Sequence, residues 1–172
     1  PAVASVASVF VSRWDVAVAG KVPAALTNKL GLAIGHQAYR GYSQLLQSSR
    51  WRRAMNAGAR PQRLLFASTG TKDPQASDIL YIKGLVAPLT INTMPENTLK
   101  AFADHGELSL ELSADAGDAE KMLGEFRKAG VDLADLAACL LGCHERGRPG
   151  RKTSLRRRCR VRARKELGDA EV

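Results

Sequence analysis

The sequence predicts an α/β fold with parallel strands, on three observations. Apolar runs of strand length recur at "AVASVASVFV" near the start, "RLLFAS" from Arg63 and "VAPLTIN" from Val86. Between and after them the apolar residues fall three or four apart, the period of a helix buried on one face. The 172 residues suffice for one domain with its own core. Strands and helices in strict alternation favour a parallel sheet, because each parallel pair needs a crossover long enough to hold a helix.

Residues 3–11 alternate small and branched apolar groups, as a strand buried on both faces would, and Arg13 comes just past its end. From Pro23 the period changes. Leu26, Leu30, Ile34, Ala38, Tyr42 and Leu45 line one stripe of a helix reaching about Ser48. The segment "RWRRAMNAG" is a second, short helix with Gly58 as its C-cap. After the breaker Arg60-Pro61 comes the strand "RLLFAS", then the loop "TGTKDP", where Gly70 allows unusual backbone angles and Asp73-Pro74 resists helix. A short helix is expected within residues 75–84, then the strand "VAPLTIN". Thr93 and Glu96 have the spacing of a capping box, with Pro95 in the first turn, for a helix to about Asp104. "AGDAEKMLGEFRKAGV" is an amphipathic helix ended by Gly130, and Asp132 opens another, "DLADLAACLL". After Leu141 the apolar rhythm stops.

No stretch approaches the roughly 18 uninterrupted apolar residues of a membrane span. The apolar opening lacks the positive n-region of a signal peptide. Pro1 stands almost inside the first strand, so the start shown is not expected to be the natural one. Cys139, Cys143 and Cys159 are few, odd in number and late, which suggests unpaired thiols and a reducing, cytoplasmic setting. Together with His144 they lack a compact zinc-ligand pairing, and no metal site is expected. His36 and His105 read as surface or helix-end residues, and Trp14 and Trp51 as packing groups.

The net charge of +9 is unevenly placed. Residues 143–172 carry eleven Lys/Arg against four Asp/Glu, a net +7, which leaves +2 for residues 1–142. The basicity belongs to the tail. Two regions are therefore expected: a folded body, 1–142, and a basic tail of low order, 143–172.

In a parallel barrel, functional groups collect where strands end and the following loops begin. Ser8, Ser12 and Arg13 attend the end of one strand; Ser68, Thr69, Gly70, Thr71 and Lys72 follow another. Arg offers a planar fork for phosphate oxygens, Lys a compact charge, and a glycine-containing loop lets backbone N–H groups approach an anion. The group reads as a phosphate cradle. The competing reading pairs Arg13 with Asp15 or another acid and treats the loop as merely polar. The spacing of a nucleotide-binding P-loop is absent.

The segments "VASVFVSRWD" and "LLFASTGTKDP…SDILYIKGLVAPLTINTMPENTLKAFADHG" closely resemble the C-terminal half of bacterial transaldolase, over about residues 2–141. The resemblance implies part of a (β/α)8 TIM barrel, about strands six to eight with their helices. It implies transfer of a dihydroxyacetone unit between sugar phosphates, sedoheptulose 7-phosphate and glyceraldehyde 3-phosphate, through a lysine Schiff base in the pentose phosphate pathway. No metal or organic cofactor is implied. By position it assigns Ser8 as a substrate-contacting serine, Arg13 as a phosphate-binding arginine and Ser68 as the serine of the phosphate site. Where the best-known branch has an arginine two residues after that serine, this sequence has Gly70; Lys72 is the candidate replacement charge.

The family's Schiff-base lysine and its acid/base carboxylates belong to upstream strands, so no catalytic residue is assigned here and the chain is expected to be inactive alone. Lys72 is a poor substitute, because the neighbouring Asp73 favours its charged form. A closed barrel typically needs about 250 residues. Three strands leave open edges, so the isolated chain is expected to be poorly soluble or molten, and a complementary N-terminal half is a possible partner. Three origins stay open for the tail: a basic arm that binds nucleic acid through phosphates, a cationic linker, or out-of-frame translation. The first would make this a small basic nucleic-acid-binding protein, a reading disfavoured because the run lacks interleaved aromatics.

Overall fold

A computed structural model describes residues 4–107, 112 and 117–145, with backbone only for 142–145. The expectations for residues 146–172, and for the thiols and histidine at 143, 144 and 159, lie outside the residues so described.

Three strands, β1 (Val6–Phe10), β2 (Arg63–Ala67) and β3 (Thr90–Asn92), form one parallel sheet in the order β1-β2-β3. Each crossover is helical. The longer contains α1 (Ser12–Val18), a 3₁₀ turn (Ala24–Leu26), α2 (Leu30–Gln47) and α3 (Ser49–Asn56); the shorter contains α4 (Leu80–Gly84). After β3 come α5 (Glu96–His105), α6 (Ala119–Lys128) and α7 (Leu133–Glu145). The parallel order with helical crossovers is that of an arc of a (β/α)8 barrel, as the family resemblance implies.

The register separates the two faces of the sheet. Val9, Phe66 and Asn92 stand abreast, and one residue away Ser8, Leu65 and Ile91 face the opposite side. On the first face Leu64 and Phe66 are buried, packed with Val11, Tyr39, Tyr81 and Leu85. Phe66 is fully buried, so its truncation to alanine costs about 3–5 kcal/mol. The second face is less covered among the described residues: Ser8 is exposed, and Phe10, Leu65, Ala67 and Ile91 are only half-buried. The expectation that the first strand is buried on both faces is therefore corrected. β1 is an edge strand, and Val6 is 44% exposed.

The long helix α2 divides two cores. Its Tyr39, with Leu32 and Tyr42, meets the sheet; its Leu30, Ala33 and Ile34 meet α6 and α7 through Leu123, Phe126, Val131 and Leu136. Trp14 packs against this second cluster, in the role expected of it.

Helix ends follow local chemistry where glycine marks them. At Gly58 (φ +91°) the Gly58 N–H donates to Met55 O and the Ala59 N–H to Ala54 O, the paired bonds of a Schellman ending. Gly130 (φ +85°) ends α6 in the same way, its N–H on Arg127 O and that of Val131 on Phe126 O. Val131 is thereby delivered into the core.

Several boundaries differ from expectation. α1 was not foreseen, and α2 begins at Leu30 because the chain first makes the 3₁₀ turn. The capping box does not form: α5 has Pro95 as N-cap with no side-chain bond, and Thr93 is held by the sheet, its N–H and hydroxyl both donating to Phe66 O. Gly70 is absent from the positive-φ residues; the glycine is required because a Cβ there would lie 2.9 Å from Pro95 Cγ. His36 is half-buried, with Nε2 2.9 Å from Gly84 O, rather than a free surface residue. α7 continues to Glu145, past the loss of apolar rhythm. Cys139 is disulfide-bonded, which corrects the expectation of unpaired thiols for that residue. No helix among the described residues is long and apolar enough to cross a membrane.

Candidate functional site

The C-terminal ends of the three parallel strands lie on one side of the sheet, and α1 begins two residues after β1 ends. Beyond the last ladder pair, Phe10 opposite Ala67, the Val11 N–H donates to Ala67 O (2.9 Å) and the Ser12 N–H to Ser68 O (3.1 Å). These bonds carry β1 straight into a helix without a loop. Because successive helical residues diverge by about 100°, neighbouring side chains of α1 reach different surroundings.

Ser8 and Arg13 line one cavity of about 780 Å³. It wraps the open edge of β1 and is closed by Phe10, Trp14, Gln37 of α2, Arg127 of α6 and apolar residues of α7. The Arg13 guanidinium lies 4.1 Å from the Phe10 ring centroid. Such stacking fixes its plane and leaves the N–H groups at its edge available. No carboxylate among the described residues pairs with Arg13, so the expected alternative, a bond to Asp15, is not formed. Arg127 and Gln37 belong to this cavity without having been singled out from sequence; Arg127 is paired with Glu120 at 3.2 Å.

Asp15 is committed elsewhere. Its two oxygens accept the Leu30 N–H (2.9 Å), the Gly31 N–H (3.0 Å) and the Tyr81 hydroxyl (2.7 Å). It thereby caps α2 from another helix, since Lys29 at the N-cap supplies no side-chain bond. Burial pushes its carboxyl above the ordinary value, while the bonds from Tyr81, Gly31 and Leu30 oppose that shift. Burial and the adjacent carboxylate push the Tyr81 hydroxyl well up. A Cβ on Gly31 would lie 2.5 Å from Asp15 Oδ2 and 2.8 Å from Val11 O, so only glycine allows this approach.

Lys72 lies in a second cavity, of about 370 Å³, with Ser12, Asp15, Asn28, Asp73 and Tyr81 among its lining. Asn28 (φ +59°) donates to Asp73 Oδ2 at 2.6 Å, fastening the loop before α2 to the loop after β2. The bonds from the Gln75 N–H and Asn28 hold the Asp73 carboxyl below its usual range. Lys72 is exposed and has no charge partner among the described residues. The four residues singled out from sequence are thus divided: Ser8 with Arg13, and Lys72 on the other side of α1.

Ser68 stands between them. It is half-buried, has φ +57°, and its Oγ is 2.9 Å from Ser12 Oγ. The other hydroxyls of this loop are used internally: Thr69, fully buried, donates to Thr93 O at 2.5 Å, and Thr71 to Ser77 O at 2.7 Å. They hold the loop in place instead of facing a ligand. Asn92 Oδ1, at the end of β3, is a buried acceptor without a partner among the described residues.

The sequence profile of the Transaldolase/Fructose-6-phosphate aldolase family matches residues 1–142. The chain belongs to this family. It is 46% identical over 146 residues to a transaldolase of Parafrankia sp. (strain EAN1pec), covering 80% of this chain and 40% of that protein. It is 44% identical over 144 residues to the transaldolase of Thermobifida fusca, covering 79% and 39%. To that of Mycolicibacterium smegmatis it is 41% identical over 140 residues, covering 77% and 38%. The chain therefore spans about two fifths of the length of these transaldolases, and the resemblance read from its motifs is a true kinship.

Proposed function

We propose that this chain supplies the sugar-phosphate-binding part of a transaldolase-type transferase, which moves a dihydroxyacetone unit between sugar phosphates in the cytoplasm. The observation that carries the reading is Arg13: a guanidinium with no carboxylate partner among the described residues, sharing a cavity with Ser8 in the middle of β1. An arginine fork binds phosphate oxygens in pairs, and its stack on Phe10 limits the freedom lost on binding. Ser8 adds a hydroxyl on the uncovered face of the sheet, Ser68 a second from the end of β2, and Lys72 a longer-range charge across α1.

The lysine that would form the Schiff base and the carboxylates that would move protons come from a complementary part of the protein, which also covers the open face and the edge of β1. The lengths of the relatives support this division. Two measurements test the reading. Inorganic phosphate and glyceraldehyde 3-phosphate should each shift the NMR signals of Ser8, Arg13 and Ser68, and Arg13→Met should weaken binding by about tenfold or more. Dihydroxyacetone transfer should appear only when the N-terminal part of the Parafrankia relative is co-expressed with this chain. Phosphate binding unaltered by Arg13→Met would remove the basis of the proposal.

A further inference from the structure

We infer that Ser12 is a positioning residue: it fixes the hydroxyl of Ser68 at the C-terminal end of β2, and so sets the direction from which an anion is met there. The ligand rests on the reading just given; the geometry does not.

Ser12 is 1% exposed, so its own hydroxyl is not offered to a ligand. Ser68 adopts the left-handed region, at φ +57°, which a serine occupies only when its surroundings over-determine it. The surroundings do so from both sides. On one side Ser12 makes two bonds to it, N–H to Ser68 O and Oγ to Ser68 Oγ. On the other, Thr69 is fully buried and tied to Thr93 O. Leu64 and Phe66 continue the alternation of β2 onto the covered face, where an extended residue 68 would also fall. The left-handed turn breaks that alternation and leaves Ser68 half-buried at the strand end.

Ser12 can hold Ser68 only if α1 cannot rotate. Asp15, one turn further on, supplies that restraint through Leu30, Gly31 and Tyr81. The inward face of α1 is thus anchored at its first residue and again one turn later.

The test is Ser12→Ala, followed by the ¹³Cα and ¹³Cβ shifts of Ser68 and by titration with inorganic phosphate. The Ser12 N–H bond to Ser68 O persists in this variant and the Oγ–Oγ bond is lost, so the expected result is movement of the Ser68 ¹³Cβ shift as its hydroxyl is released, with phosphate affinity reduced about fivefold, the effect of one hydrogen bond. Unchanged Ser68 shifts would overturn the inference. A wild-type chain that binds no phosphate counts against the proposed function alone, because the Ser68 shifts still decide the positioning. Should Ser12→Ala lose its fold, the double variant Ser12→Ala/Ser68→Gly decides. Glycine adopts the left-handed turn unaided, so the double variant refolds if Ser12 acts by positioning and stays unfolded if Ser12 is only a packing group.

Discussion

Replacing Asp15 with alanine should loosen the first turn of α2 specifically. Three donors converge on this carboxylate: the backbone N–H groups of Leu30 and Gly31 and the Tyr81 hydroxyl, at 2.9, 3.0 and 2.7 Å. Asp15 is 6% exposed. A buried donor left without a partner costs about 1–3 kcal/mol. The lower end applies here, because the adjoining cavity lets water reach part of the vacated space. Three donors at about 1 kcal/mol each give about 3 kcal/mol. Against this stands the desolvation of a buried carboxylate, which the substitution relieves, so the net loss should be about 2 kcal/mol. Amide hydrogen exchange is the suitable assay, since it reads local opening residue by residue. Leu30 and Gly31 should exchange about thirtyfold faster in Asp15→Ala. Tyr81→Phe removes one of the three bonds and leaves the carboxylate on the helix end, so it should accelerate the same amides only about fivefold. Equal exchange in Asp15→Ala and wild type, or equal effects of the two variants, would refute the argument.

Gly31→Ala ordinarily stabilises a helix by about 1 kcal/mol, but here it should destabilise by about 1–3 kcal/mol, because the added methyl meets Val11 O and Asp15 Oδ2; the sign is read from amide protection in α2. His105 Nε2 lies 3.1 Å from Asp78 Oδ1, and its ring is held above the ordinary imidazole value by Asp78 and then Asp104. The contribution of this pair is complete below about pH 6.5 and is lost as pH rises through the raised folded value; an NMR titration should show the His105 midpoint fall in Asp78→Asn. The open edge of β1 and its half-covered face should make the chain self-associate when alone, and sedimentation showing a monomer with a cooperative thermal transition would contradict this.

How much of this was legible in the sequence depended on the range of the interaction involved. β2, α3 and α6 are set by contacts a few residues long: an apolar run and the glycines at 58 and 130. α1 escaped notice because "SRWDVAV" is seven residues that follow β1 without a turn residue, with β-branched Val16 and Val18 continuing the look of a strand. The capping box at Thr93 and Glu96 has the right spacing, but Thr93 is drawn into the sheet by Phe66 O. The cap of α2 comes from Asp15, fifteen residues before Leu30, a distance that no local motif encodes. The double burial of β1 needs a second layer that the described residues do not supply. Among the site residues, Ser8 and Arg13 do share a cavity, although Ser8 lies in the middle of β1 and not at its end as the sequence suggests, whereas the separation of Lys72 depends on α1.

That separation also explains why α1 matters to the site as a whole. Ser12 and Arg13 are adjacent in sequence, yet Ser12 lines the cavity of Lys72 and Arg13 the cavity of Ser8. The cause is the rotation of about 100° between successive helical residues. Had the chain left β1 as an extended loop, alternation over two residues would have put Arg13 near the line of Val11, which is fully buried. The helix turns Arg13 out over Phe10 and keeps Ser12 against Ser68. It can do so only while Asp15 holds its inner face and Gly31 leaves room for that bond. An exposed arginine with a fixed direction therefore depends on a buried carboxylate two residues away that never touches it. Substitutions at Asp15 or Gly31 belong with those at Arg13 in any test of the proposed phosphate site, although neither residue lines the Arg13 cavity.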